Sequence, residues 1–381
     1  MARGAWTAAL ALGLAVTLAG CGGSSDDDRE PGAAAPGTDR RATDAASPGT
    51  DRRATDAAYA FLDTYTRDGG RIARLDEGGD TVGEGQAYGM LAAAAVGDAR
   101  RFDRIWNWTK QHARRDDGLL VFRWANGRVV DEQAATDADL DAAHALLVAA
   151  CRFRRDELRE EAERIGAAIL RHETARAAGR TVLIAGPWAA QREHLVVNPS
   201  YLDPLTLMAL ARRTGDQRYV ALADDGRRIV ARLSDPLPPD WATVDRATAR
   251  PTPAAAADGG AGPARFTFDA PRTLVRLAVD PAPAGRRLAA RAWPVFRDRA
   301  ADELRVEHAL DGRPAGSTRS PLIQVAAAAS AMAAGDEAAG KRLLGAADRV
   351  ARAHPSYYGA AWAALGRLML TTRWLRVCAG R

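Results

Sequence analysis

The chain has 381 residues, enough for one large domain or two ordinary ones, and a formal net charge of +5. Lys110 and Lys341 are its only lysines, arginines are interspersed with Asp and Glu, and no basic run is interleaved with aromatics. That pattern excludes the footprint of a nucleic-acid partner. Cys21, Cys151 and Cys378 form no CxxC pair, so no metal site of that kind is expected.

The chain opens with Arg3 ahead of an apolar run from Ala8 to Leu18, followed by Leu18-Ala19-Gly20-Cys21. The run is shorter than the roughly 20 apolar residues of a membrane-spanning helix and has the anatomy of a signal peptide. Small residues ahead of Cys21 resemble a bacterial lipoprotein processing site. The expectation is a signal over 1–20, lipid on Cys21 and a monomer held to the membrane outside the cytoplasm, or secreted if Cys21 carries no lipid. Residues 21–55 are rich in Gly, Ser, Pro, Asp and Ala and read as a disordered tether. The segment Gly37 to Ala46 recurs from Gly49 to Ala58. Cys151 and Cys378 could pair, but spacing leaves their distance open.

From about residue 56 to the end the texture is helical. Phe61, Leu62 and Tyr65 share a face, as do Phe102, Ile105, Trp106 and Thr109, and then Leu158, Ala162, Ile165 and Ile169. Further helices are expected near 86–97, 137–153, 201–213, 217–233, 271–280, 284–298, 321–334, 337–353 and 356–376. Short extended pieces fit Thr181 to Ile184 and Arg265 to Phe268. Pro236 to Pro263 is the longest break and reads as a surface insertion, because the helical texture is the same on both sides. About twelve helices in one domain imply paired helices in one closed all-α array.

Three acidic positions stand out. Glu84 lies between Gly83 and Gly85, which leave room for a ligand to approach the backbone, ahead of an apolar helix. It could equally cap that helix. Asp137, Asp139 and Asp141 alternate at the start of another helix and point in different directions. They could cap it, hold a cation or grip a sugar. A calcium loop fails on Ala142 and Val148, where glycine and glutamate are required. Asp269 precedes Pro271, a residue suited to a helix's first turn, and would be that helix's cap or nearly so.

Taken together, Gly83-Glu84-Gly85-Gln86-Ala87-Tyr88-Gly89-Met90, Ala135-Thr136-Asp137-Ala138-Asp139 and Phe268-Asp269-Ala270-Pro271-Arg272 resemble glycoside hydrolase family 8 in order and spacing. Phe102 to Thr109, Phe122-Arg123-Trp124 and Asn198-Pro199-Ser200-Tyr201-Leu202 add to the resemblance, which covers about 57–375. Gly83 departs from the family's usual Ser, and Ala142 from its usual Ile or Met. The resemblance implies an (α/α)6 barrel and an endo-acting, inverting hydrolase of β-1,4-glucan that needs no metal or organic cofactor. Glu84 would be the general acid and Asp269 the general base, roughly 6.5–9.5 Å apart. Asp137 would bind the distorted sugar, with Asp139 in support and Asp141 structural.

A helix N-terminus lowers a carboxyl pKa, so a protonated Glu84 requires partial burial and the negative Asp137 close by. Arg272 would orient Asp269 or keep it ionised. Trp124, Tyr201, Tyr88 and Trp108 are the aromatic candidates for stacking on sugar rings. Chitosan or xylan as substrate, and a non-catalytic glycan-binding lipoprotein, stay open as alternatives.

Overall fold

The computed structural model describes residues 52–378. Cys21, the expected signal segment and the tether up to residue 51 lie outside them. Helix α1 covers Arg52–Tyr65 and buries Ala54 and Ala58. It therefore takes in the last four residues expected to belong to the tether.

The remaining helices are α2 (Gly83–Val96), α3 (Ala99–His112), α4 (Thr136–Phe153), α5 (Asp156–His172), α6 (Pro204–Thr214), α7 (Gln217–Leu233), α8 (Ala270–Ala278), α9 (Pro283–Ala290), α10 (Trp293–Arg297), α11 (Pro321–Ala333), α12 (Glu337–Ala353) and α13 (Tyr357–Thr371). The rod expected at 284–298 is broken into α9 and α10 at Arg291 and Ala292, just ahead of Pro294. The helix expected from 201 starts at Pro204, capped by Asp203, and leaves Tyr201 in a preceding 3-10 turn.

Composition sorts these helices into two layers. α2, α4, α11 and α13 are alanine-rich and buried nearly all round, which only an interior helix can be. α1, α3, α5, α7 and α12 carry one apolar stripe and an arginine- and acid-rich outer face. Successive contacts α2–α4, α4–α6, α6–α8, α8–α11, α11–α13 and α13–α2 close an inner ring. α1, α3, α5, α7, α9 with α10, and α12 back it from outside. This is an (α/α)6 barrel, with alanine letting the inner helices approach closely.

Short strands gather where the chain enters the inner helices. β1 (Thr81–Val82) runs into α2 and pairs with β2 (Arg123–Ala125), which pairs with β3 (Arg128–Asp131). β4 (Thr174–Ala177) and β5 (Arg180–Leu183) form a hairpin. β6 (His194–Val197), β7 (Trp241–Asp245) and β8 (Pro251–Ala254) form an antiparallel sheet. β9 (Arg265–Phe266) pairs with β10 (His308–Ala309). The segment 236–263 is thus more than an insertion. Its strands bury Ala242 and Val244 against Leu195 and Val197 in a second apolar cluster, and Asp240 precedes them. Prolines hid this pairing, because β8 is an edge strand, where they are tolerated.

Two buried ion pairs one helical turn apart fasten α8 to α4. Arg272 pairs with Asp137 at 2.7 Å, and Arg276 with Asp141 at 2.8 Å. Arg276 also reaches Asp203 at 3.2 Å and lies over the Trp362 ring at 5.8 Å. Cys151 in α4 is bonded to Cys378, with their Cα atoms 6.1 Å apart, which ties the end of the chain to the inner ring. Removing one partner from a buried pair leaves an uncompensated charge. Arg276→Met, which strands Asp141 and Asp203, is expected to lower unfolding free energy by about 3–5 kcal/mol in urea titrations.

Candidate active site

Glu84 occupies the first turn of α2. The glycines beside it serve protein packing rather than ligand approach. A Cβ on Gly83 would come within 2.7 Å of the Val121 carbonyl oxygen, and one on Gly85 would strike the Tyr357 hydroxyl. Gln86 is fully buried, accepting from the Ile72 amide at 2.6 Å and donating to Thr109 Oγ1 at 2.8 Å. Glu84 does not cap the helix. Its Oε2 instead accepts from Tyr88 Oη and Arg272 Nη1, each at 3.4 Å.

The three acids of α4 are all buried, and none caps the helix, whose N-cap is Ala135. Asp137 Oδ2 takes Arg272 Nη1 and its Oδ1 takes the Ala138 amide at 2.9 Å. It is 1% exposed, so the sugar-gripping role expected for it has only a sliver of surface to act through. Asp139 has no exposed surface, and its Oδ1 accepts from the Leu120 amide at 2.8 Å. It supports the loop before β2 rather than a ligand. Asp141 serves Arg276 and is structural.

Asp269 stands just before α8, without a capping bond of its own. Its Oδ1 takes Arg272 Nη2 at 2.6 Å and its Oδ2 takes Asn198 Nδ2 at 3.1 Å. The helix start is held instead by Asp240, whose Oδ1 accepts from the Ala270 amide at 2.7 Å. Sequence reading missed Asp240 and gave Asn198 no role, although Asn198 lies in a quoted motif.

Arg272 therefore touches all three candidate acids. It is 1% exposed, with Nη1 on Asp137, Tyr88 and Glu84 and Nη2 on Asp269. Glu84 and Asp137 share one nitrogen, which brings them together as required for a protonated Glu84. Glu84 and Asp269 are bridged across the one guanidinium, Nη1 on Glu84 and Nη2 on Asp269.

Burial is the largest influence on Glu84, and the negative charges of Asp137 and Asp269 add to it. Arg272 and Arg74 pull the other way, and the carboxyl is pushed up to about 8. Burial also raises Asp269, with Arg272 and Asn198 opposing. Glu84 is thus held as an acid while Asp269 keeps two direct donors to its carboxylate.

The aromatic candidates divide. Trp124 is half-buried on β2, its ring edge-on to Trp108 at 5.3 Å, with the Arg71 guanidinium at 5.3 Å. Tyr201 is half-buried, with Arg272 5.4 Å from its ring centre. Trp108 is buried beneath Trp124, and Tyr88 is fully buried. Neither presents a face to a sugar. The Tyr88 hydroxyl receives from Trp362 Nε1 and Arg272 Nη1, both at 3.2 Å, and donates to Glu84. The exposed Phe268, quoted in the Asp269 motif, is in edge contact at 6.4 Å with Tyr358, which went unnoticed in the sequence. Trp241, edge-on to Tyr201 at 6.1 Å, did too.

A closed ring of paired helices with acids at the helix starts defines the class, and comparison gives the family. The chain belongs to the glycosyl hydrolases family 8, whose model matches residues 54–372. It is 34% identical over 220 residues to a probable endoglucanase of Novacetimonas hansenii, covering 56% of this chain and 63% of that protein. It is 32% identical to an endoglucanase of Cellulomonas uda, covering 60% of its length. The matched segment thus spans about six tenths of these relatives. An endo-β-1,4-glucanase from Acetobacter xylinum superposes with a TM-score of 0.70 at 28% identity, over 83% of this chain and 97% of that one.

The raised Glu84 makes a stability prediction. The folded protein holds this proton up to about pH 8, against 4.5 for an ordinary glutamate. Its stabilising contribution is full below about pH 4.5 and is lost as pH rises through 8. Gln does not titrate. Glu84→Gln should therefore raise the thermal midpoint relative to wild type more at pH 9 than at pH 5, as read by calorimetry.

Proposed function

We propose that this chain is an endo-acting, inverting hydrolase of β-1,4-glucan, with cellulose or a related β-glucan as substrate. The observation that carries the reading is the Arg272 guanidinium bridging Glu84, Asp137 and Asp269 while burial keeps Glu84 protonated. Glu84 donates its proton to the leaving glycosidic oxygen. Asp269, held by Arg272 and Asn198, takes a proton from a water attacking the opposite face of the sugar. Asp137 acts through its neighbours, holding Arg272 in place and raising Glu84 by its charge. Trp124 and Tyr201 are the half-buried rings on which sugar faces stack. The endoglucanase names of the relatives support glucan over xylan or chitosan.

Reducing-sugar release from carboxymethylcellulose, barley glucan, xylan and chitosan tests this. Release is expected from the two glucans, and Glu84→Gln is expected to lower kcat by about 10²–10⁴-fold. The base-side limb of kcat/KM should lie near pH 8, with activity falling above it as Glu84 loses its proton. No release from any polymer overturns the enzyme reading. Release from xylan or chitosan alone overturns the substrate. Glucanase activity retained in Glu84→Gln overturns the assigned acid.

We also infer export and a lipid anchor at Cys21, supported by the apolar run and Leu18-Ala19-Gly20-Cys21. Radiolabelled palmitate should enter the wild-type chain in a bacterial host and not Cys21→Ser; equal labelling would overturn the anchor.

A further inference from the structure

Asp240 lies just before β7, in the segment that composition marked as an insertion. Its amide donates to the Arg265 carbonyl at 2.8 Å, which fixes it beside the strand leading to Asp269. Its Oδ1 accepts from the amides of Thr267 at 3.0 Å, Asp269 at 3.2 Å and Ala270 at 2.7 Å, and its Oδ2 accepts from the Thr267 hydroxyl.

The Asp269 and Ala270 amides lie at the start of α8 and have no partner within the helix. Asp269 occupies the N-cap position of α8, and aspartate is among the preferred capping residues. A capping Asp269 would turn its carboxylate back towards the Arg272 amide, because Pro271 has none to offer. With Asp240 supplying the cap from another part of the chain, both Asp269 oxygens are free to meet Arg272 and Asn198.

We infer that Asp240 is a positioning residue for Asp269, holding the amides at the start of α8 so that the Asp269 carboxylate meets Arg272 and Asn198. This rests on the general-base reading of Asp269. The two carboxylates also repel. Burial first, and then the charge of Asp269, pushes Asp240 up to about 6, while its hydrogen bonds to Thr267 and Ala270 oppose this. Asp269 further faces Arg272 on α8, Asn198 and Tyr201 from the turn before α6, Asp137 on α4, Glu84 on α2 and Tyr358 on α13.

Two variants separate the cap from the charge. Asp240→Asn keeps an acceptor oxygen for the amides but carries no charge, and Asp240→Ala keeps neither. Carboxyl ¹³C NMR titration of aspartate-labelled full chain, with the Asp269 signal assigned by its absence in Asp269→Asn, needs no substrate. The Asp269 midpoint should stay at its wild-type value in Asp240→Asn, where the amides keep an acceptor, and should rise in Asp240→Ala, where the carboxylate turns away from Arg272 and Asn198. On the glucan that wild type cleaves, the acid-side limb of kcat/KM should follow the Asp269 midpoint in each variant. In Asp240→Ala, kcat should fall about 10²-fold with little change in KM, the signature of a displaced reacting group. An unmoved Asp269 midpoint in Asp240→Ala overturns the inference, as does wild-type kcat in that variant. If Asp240→Ala does not fold, Asp240→Ser, whose shorter side chain does not reach the amides, takes its place in both readouts. A wild type that cleaves no polymer overturns the glucanase reading, and the titration still decides the role of Asp240.

Discussion

The structure is arranged around one buried guanidinium. Taking a charge out of water costs several kcal/mol unless it is paired and fully hydrogen-bonded. Arg272 meets that condition only by drawing carboxylates from α2, α4 and the entry to α8 to a single point. Those carboxylates belong to segments far apart in the chain, so the ring must close for the guanidinium to be paired. The electrostatic requirement and the fold enforce each other. The ladder continues one turn deeper, where Arg276 takes Asp141 and Asp203, so the chemical layer rests on a structural copy of itself.

The same contact separates the two outer acids. Glu84 and Asp269 are both desolvated, and both feel Asp137 and Arg272. Asp269 receives the shorter contact from Arg272, 2.6 Å against 3.4 Å, and a further donor in Asn198. Glu84 has the shared-nitrogen neighbour Asp137 and a phenol. On the proposed mechanism, these differences in donors give opposite proton roles to similar groups, as acid–base pairs require.

Much of this was legible in the sequence. The inner and outer helices differ in apolar periodicity, so their number could be read before their closure was known. Glu84, Asp137, Asp269 and Arg272 lie in short motifs and could be named together. What escaped has a physical reason. Asp240 acts on amides 27 to 30 residues away, across a sheet whose prolines concealed its strands. No local spacing encodes such a contact. Tyr88 and Trp108 were grouped with the sugar-stacking rings because motif membership does not say which way a ring faces. In α2, apolar on every side, no polar face exists to orient the reading. The glycines beside Glu84 fit this pattern too, since a missing side chain looks the same whether a ligand or Tyr357 fills the space.

The central claim is that Glu84 and Asp269 flank the scissile bond with room for one water, and stereochemistry reports on that spacing directly. Proton NMR of a short β-1,4-linked glucan oligosaccharide, recorded in the first minutes after enzyme addition, distinguishes the anomers of the new reducing end. The account predicts that the α-anomer forms first and the β-anomer grows in only by mutarotation. A β-anomer formed first would mean that a carboxylate, not a water, attacks the sugar, and would contradict it.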